Sequence, residues 1–502
     1  MRLLSKFKSL LNSFSILFNL LFVGFTVLNT LFSTWPLYNR SVPLLLLFLL
    51  LSVVLLCFLY RVSNHFSYIY LNHRIAVIFF SVLLFFIIQL IFGVNLRHLP
   101  NTDAEQCFTA AKQLATTGHF ETSARSYTYF SWYPFNLGIV YFLSLIFKFF
   151  SFFNYTDFYF QTILICGILF SAGFYCAIRS SEILGGHYSP IFLIFLYFLN
   201  TPLLYCTSEI YTDAFAVSFI PMILYSYLCY KSHLDSNHDI VYFSLFIITS
   251  ILGFLFRVTV LIISIGCLCD LFFSEKPKSS LLLIFLFIIC VNISNIAINE
   301  THYRYLGKEN VEQHRLSFWH YLAMGLPVQE DQGYGQYNDG GWLIFSTSFD
   351  NAHSRDEALR LEVKNRIYTL RKLPILINLL SRKNLSTFGD GTFGLHYLIE
   401  ADYPEADGII KNFIFHRGNL FVYYYHFCTS LFMSLFLFLM LELFILLKNK
   451  NLACFPLCLT LTGSFIFLSL WETNARYFFQ FLPVLIILCS ILYMPRINQK
   501  NT

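Results

Sequence analysis

Charge is what this sequence has least of: Asp, Glu, Lys and Arg together make up 12% of 502 residues, against roughly a quarter in an ordinary soluble domain. So few charges cannot cover a water-facing surface of this size, which excludes a soluble enzyme. The net charge is only +5, with no nucleic-acid module beside it, so nucleic acid is not a partner. Long Gly/Ser or Pro linkers are missing, and no internal repeat or low-complexity tract stands out, so the chain reads as one membrane module with insertions. His119, His302, His314, His320, His353, His396, His416 and His426 lack zinc-like spacing. There is no phosphate-binding glycine loop, nucleophile elbow or Cys/His pair, which leaves ATP-driven transport without support. The thirteen cysteines make no disulfide framework: nearly all fall in apolar runs as small fillers, and only Cys107 lies in an outer segment.

What is present is apolar: hydrophobic residues make up 57% of the chain, and Phe alone contributes 60. A helix crosses the hydrocarbon with about 20 apolar residues. Such runs lie near 14–33, 43–60, 75–95, 159–178, 189–207, 214–231, 240–256, 258–274, 280–297, 420–447, 452–470 and 477–494. The expected fold is therefore all-α and polytopic, with about 12 transmembrane helices, interfacial helices on the outer face and one large outer loop region.

Arg2, Lys6 and Lys8 precede the first run as in a signal peptide, but no small-residue cleavage site follows, so it reads as a retained helix. With both termini cytoplasmic, Arg61, Arg74, Arg179, Lys231, Lys276, Lys278, Lys448, Lys450, Arg496 and Lys500 fall inside. Only Arg40, Arg257 and Arg476 then lie in short outer loops, as the positive-inside rule expects. Counting 137–153 as a span would invert every later loop, so it reads as an interfacial or partly sunk helix. The run 240–274 is too long for one crossing and carries Arg257 at its middle, which predicts a tight hairpin.

The organisation that follows is two extra N-terminal helices (1–74), a membrane module (75–298) with an acidic outer loop (97–136), a large outer region (299–418), and C-terminal helices (419–502). Within the large region, the stretch from Asp356 to Leu380 interleaves basic residues with Leu361, Ile367, Leu370 and Leu373. It predicts a helix, either lying on the membrane surface or packed in a small solvated domain.

Chemistry is suggested first by Asn101-Thr102-Asp103-Ala104-Glu105, two carboxylates at the mouth of a span in a chain that can spare few. Ala104, Phe108, Ala111 and Leu114 recur at helical spacing up to Gly118, a natural C-cap. Asp103 would then face the positive end of that helix and stay ionised, ready to accept a proton or hold a metal. A simple N-cap or a solvated acid is the plain alternative. Three more ionisable loop tips share the same expected face: Glu209 to Asp213, Arg257, and Trp471-Glu472-Thr473-Asn474-Ala475-Arg476-Tyr477. Arginine grips phosphate bidentately and keeps its charge, which suits Arg257 and Arg476 to a phosphate leaving group. Singly, each reads as snorkelling or ion-paired. Asp390-Gly391 and Asn338-Asp339-Gly340 read as turns.

The order of a span, Asp103-x-Glu105, a helix ending at Gly118, and then Tyr133-Pro134-Phe135-Asn136-Leu137-Gly138 resembles polytopic glycosyltransferases of the C superfamily. The likeness is to the protein O-mannosyltransferase and aminoarabinose transferase branch. Tyr211-Thr212-Asp213 and Glu472 through Tyr477 resemble recurring pieces of its bacterial members. The resemblance covers about 75–300 and the final helices; two helices before the usual first span depart from it. It implies a cell-membrane enzyme that takes a sugar from a polyprenyl-phosphate donor and passes it, with inversion, to a cell-envelope glycan, lipid or protein. By that resemblance Asp103 takes the acceptor's proton and Glu105 assists. Arg257 and Arg476 would bind the donor phosphate, with Tyr133, Asn136, Tyr211, Asp213 and Glu472 supporting the substrates. No cofactor is certain; the carboxylate pair serves a metal-free base and a divalent metal ion alike. Membrane lipids are the other expected partner.

Two rival readings make different demands. An O-antigen-type polysaccharide polymerase or ligase would place its working arginines in the large loop, at Arg304 or Arg315. A lipid or polysaccharide transporter would line its spans with polar residues, and here they hold few charges beyond Asp270 and Glu442.

Overall fold

The protein is an all-α polytopic membrane protein: a computed structural model shows helices throughout and no strand among the described residues. Those are residues 2–33, 41–119, 125–233, 239–273, 277–328, 333–337, 339–400 and 408–491. Arg40, Lys276, Asn338, Arg496 and Lys500, which figured in the sequence reading, lie outside them, as does the side chain of Lys278.

The bundle opens with α1 (Arg2–Phe32) and α2 (Val42–Asn95). Although α2 is helical over 54 residues, His73 departs from helical geometry and the contacts on its two sides run in opposite directions. The amide of Ser41 donates to His426 and Tyr60 meets Phe192, whereas Arg74 pairs with Glu182 and Gln89 donates to the Leu203 carbonyl. The expected second and third spans are thus two antiparallel limbs joined by a helical turn.

Next come α3 (Thr102–Thr117), α4 (Arg125–Trp132) and α5 (Leu137–Ser151). As expected, α3 stops at Gly118, whose left-handed backbone (φ 78°) returns its N–H to the Leu114 carbonyl. The central crossings are α6 (Phe158–Gly185), α7 (Ser189–Leu199) with its short extension α8 (Thr201–Tyr205), and α9 (Thr212–Ser232), which is buried almost along its whole length. Then α10 (Asp239–Phe256) and α11 (Leu261–Phe272) form the hairpin expected around Arg257. The last crossing before the large region is α12 (Pro277–Leu306).

Although α5 is apolar enough to cross a membrane, its neighbours hold it at one level. Its start lies against Leu255 at the end of α10, and Phe147 near its other end meets Phe158 at the start of α6. Both contacts mark the end of the bundle that carries Asp103, as an interfacial helix requires. Gly138 sets the contact with α10, because a Cβ there would run into the Leu255 carbonyl oxygen. Gly138→Val is expected to cost about 1–3 kcal/mol through overpacking. Since Leu255 lies two residues before Arg257, it should also lower activity. Thermal unfolding in detergent checks this, and an unchanged midpoint would show that α5 can shift without penalty.

The described residues of 299–418 build seven short helices: α13 (Lys308–His314), α14 (Phe318–Gly325), α15 (Trp342–Thr347), α16 (Ala352–Thr369), α17 (Leu373–Phe388), α18 (Leu395–Glu400) and α19 (Gly408–Ile414). The single helix expected over Asp356 to Leu380 is two, because Pro374 opens a new first turn and the chain breaks at Leu370–Lys372 ahead of it. Arg366, expected among the basic residues of a polar face, is buried. It donates to the carbonyls of Ala323 (2.8 Å) and Leu326 (3.0 Å) and stacks over Trp342. Leu361, Ile367 and Leu373 point outward instead.

The chain closes with α20 (Phe421–Lys448), α21 (Phe455–Leu470), α22 (Arg476–Phe479) and α23 (Leu482–Ser490). Among the described residues, eight segments are long and apolar enough to cross a membrane; α11 and α21 are shorter apolar helices. Two of the eight, Val42–Asn95 and Phe158–Leu199, hold two limbs each. With α5 set aside and α23 included, this matches the twelve crossings expected. All thirteen cysteines are free.

Candidate functional site

Three loops and one helix start meet at the end of the bundle where α3 begins. Asp103 sits in the first turn of α3 and Asp213 in the first turn of α9. Each carboxylate sits at the positive end of its own helix. The same tripeptide, Thr102-Asp103-Ala104 and Thr212-Asp213-Ala214, opens both helices. That repetition is a sequence signal for a paired site that the motif reading passed over.

Two arginines join the aspartates. Arg257, at the break between α10 and α11, pairs with Asp213, while the Nε of Arg476 lies 3.7 Å from Asp213 Oδ2 and its Nη2 3.8 Å from Asp103 Oδ2. Both guanidinium groups also lie over aromatic rings, Arg257 over Tyr477 at 4.8 Å and Arg476 over Tyr211 at 5.2 Å. Exposure separates the two acids: the Asp213 side chain is 0% exposed and Asp103 39%. Asp213 is a buried counter-charge holding two cations, whereas Asp103 can be reached from outside.

Tyr211, Tyr129 and Asn136 lie behind Asp103. Tyr211 donates to Asp103 Oδ2 at 3.4 Å, and Asn136 donates to the Tyr129 hydroxyl at 2.6 Å. Tyr133 packs against Tyr129 with ring centroids 5.1 Å apart, beside Asn136. Glu472 is buried in the Arg476 loop, where burial raises its carboxyl and the nearby Arg476 opposes that rise. Glu105 stands apart. Two residues along a helix turn the side chain by about 200°, so it faces away from Asp103, and it is exposed.

The large region contributes more than its sequence suggested. Lys383 of α17 donates to the carbonyls of Gly325 and Trp471, and Thr473 donates its amide to the Gly335 carbonyl. Tyr321 stacks flat on Trp471 at 5.1 Å. These contacts fix the loop that carries Glu472 and Arg476. Burial pushes the Lys383 ammonium down to about 7. Arg304 and Arg315, the residues the polymerase reading depends on, are exposed. Asp390 forms the turn expected of it, accepting the amides of Thr392 and Gly394.

Glu209 closes the back of the site. It is 2% exposed, and both carboxyl oxygens lack a hydrogen-bond partner. Burial pushes its carboxyl up to about 7, against the pull of Arg476 and Arg257. The folded protein therefore holds more protons than the unfolded chain between about pH 4.5 and 7, and stability falls as pH rises through that window. Glu209→Gln removes this loss, which is on the order of a few kcal/mol. Comparing wild type with variant cancels the opposite contribution of Lys383. The gap in thermal midpoint should widen in favour of the variant from pH 5 to pH 8, and parallel curves would refute a buried carboxyl there.

A metal ion does not fit these residues. Arg476 lies between Asp103 and Asp213, so a divalent ion would have to displace a guanidinium. No three of His, Cys, Asp or Glu cluster as ligands among the described residues.

A family model described as "Conserved hypothetical integral membrane protein" matches residues 6–496. No curated protein matches the chain. Among solved structures, one similar fold is the archaeal oligosaccharyltransferase AglB from Archaeoglobus fulgidus, in complex with an inhibitory peptide and a dolichol-phosphate. It has 14% identity and a TM-score of 0.41, and the match covers 82% of this chain and 50% of that one, so this chain spans about half its length. Another is ArnT from Cupriavidus metallidurans bound to undecaprenyl phosphate, with 11% identity, a TM-score of 0.36, and coverage of 84% and 77%.

Proposed function

We propose that this chain, which belongs to the conserved hypothetical integral membrane protein family, is a membrane glycosyltransferase. It would take a sugar from a polyprenyl-phosphate donor and pass it to a cell-envelope glycan, lipid or protein at the outer face. One observation carries the reading: Asp103, Asp213, Arg257 and Arg476, far apart in sequence, form a single cluster in which the one accessible carboxylate lies beside a guanidinium.

Such a cluster supplies what the transfer needs. Asp103 accepts the proton of the acceptor hydroxyl as its oxygen bonds to the anomeric carbon. The bond from that carbon to the phosphate oxygen breaks on the opposite side, which inverts the centre. The departing phosphate keeps the electron pair, and its charge falls to Arg476, with Arg257 behind it. Asp213 holds both guanidinium groups in place between turnovers. Tyr211 aims the Asp103 carboxylate through its hydroxyl, and Tyr133 and Asn136 support the substrates beside it. Glu105 has the weakest claim and is retained only as a group that orients the acceptor.

The test is reconstitution of the purified chain in liposomes containing a polyprenyl-phosphate sugar, with envelope fractions as acceptor. Acceptor-dependent release of polyprenyl phosphate is the expected result. Movement of donor across the bilayer without release would favour a transporter instead.

A further inference from the structure

At the end of the bundle away from Asp103, an open groove of about 760 Å³ runs between the second limb of α2 and α6. Ile78 and Val82 line one side and Tyr175 the other, while Ser171 and Ala172 make a shallow floor. Arg74 and Arg179 stand at its mouth. Both pair with Glu182: Arg74 Nε lies 2.9 Å from Oε1, and Arg179 contacts Oε2. Two cations on one carboxylate leave one positive charge uncompensated, and the Arg74 side chain is 43% exposed.

The dimensions fit one leaflet. From Asp157, at the start of α6, to Arg179 is a rise of about 33 Å, close to the roughly 30 Å of the hydrocarbon core. The arginines therefore lie at headgroup depth on the far side. From Arg179 back to Ile168, the groove's other limit on α6, is about 16 Å, half that thickness. Free phosphate would have no use for an apolar channel of that length, and a neutral lipid none for the spare charge.

We infer that this groove is a binding site for an anionic glycerophospholipid, with one acyl chain between α2 and α6 and the phosphate on Arg74 and Arg179. Basic pockets between transmembrane helices hold acidic headgroups through the same chemistry. Nothing in the transfer proposed at the other end of the bundle requires this site, so either can fail alone.

The test uses the full chain, purified in detergent, incubated with equal amounts of phosphatidylglycerol and phosphatidylcholine and read by native mass spectrometry. Wild type should retain phosphatidylglycerol about fivefold over phosphatidylcholine, the worth of one uncompensated arginine near the surface. Arg74→Gln with Arg179→Gln should erase the preference. Ala172→Trp, at an exposed position that fills the groove and keeps the charges, should lower retention of the lipid itself. Added inorganic phosphate should compete poorly. Equal retention of both lipids by wild type, full retention by Ala172→Trp, or ready displacement by phosphate would each overturn the site.

Discussion

Asp103→Asn should reduce sugar transfer by about 10²–10⁴-fold while the protein stays folded. Asparagine keeps the size of the side chain and its place in the first turn of α3, so the contacts of that turn survive. What disappears is the lone charged base that the acceptor can reach. Removing this acid leaves little unpaired, because Arg476 still has Asp213 at 3.7 Å. The loss should fall on turnover, not on donor affinity, and donor binding could even rise once Arg476 is released from a competing carboxylate. Glu105→Gln is the internal control: exposed and turned away, it should keep transfer within about threefold. Release of polyprenyl phosphate by both variants, with size-exclusion profiles to confirm folding, decides the matter. An Asp103→Asn protein with more than a tenth of wild-type turnover would end the assignment of that residue as base.

The long apolar runs make the bundle readable in the sequence, because crossing a membrane leaves so few alternatives. The reading of α5 as a helix at one end of the bundle rested on the distribution of basic residues, not on its own composition. What periodicity could not see was the continuity of α2 through His73, since a helical turn between two spans has no polar loop to mark it. It also missed the break before Pro374, where a proline at a first helical turn was passed over within a charged helical pattern. At the site, charges at loop tips were legible one at a time. Their convergence on one cavity was expected from topology, but which carboxylate meets which guanidinium was not, because Asp103, Asp213, Arg257 and Arg476 are paired by the packing of α3, α9, α10 and α22. The burial of Lys383 and Glu209 belongs to the same class: a charged residue in a polar segment looks solvated until the chain folds over it.

The buried pair behind the base gives the second large effect. Arg257→Gln leaves Asp213, whose side chain is wholly buried, without its nearest cation, and an uncompensated buried charge costs about 3–5 kcal/mol. Arg476 lies 3.7 Å from the other oxygen and limits that cost without abolishing it. Asp213→Asn should be damaging for the opposite reason, since it leaves two guanidinium groups to repel each other across one site. Combining Arg257→Gln with Asp213→Asn removes both halves of the pair, so the double variant should recover much of the stability that either single variant loses. Activity should behave differently. The double variant lacks one of the two cations assigned to the departing phosphate, so transfer should remain at least about tenfold down even where the thermal midpoint returns. Thermal unfolding and transfer assays on the two single variants and the double separate these roles. Strictly additive losses in stability would show that the two residues do not act as a pair. Recovery of transfer along with stability would mean that Arg257 serves the fold alone, leaving the phosphate to Arg476.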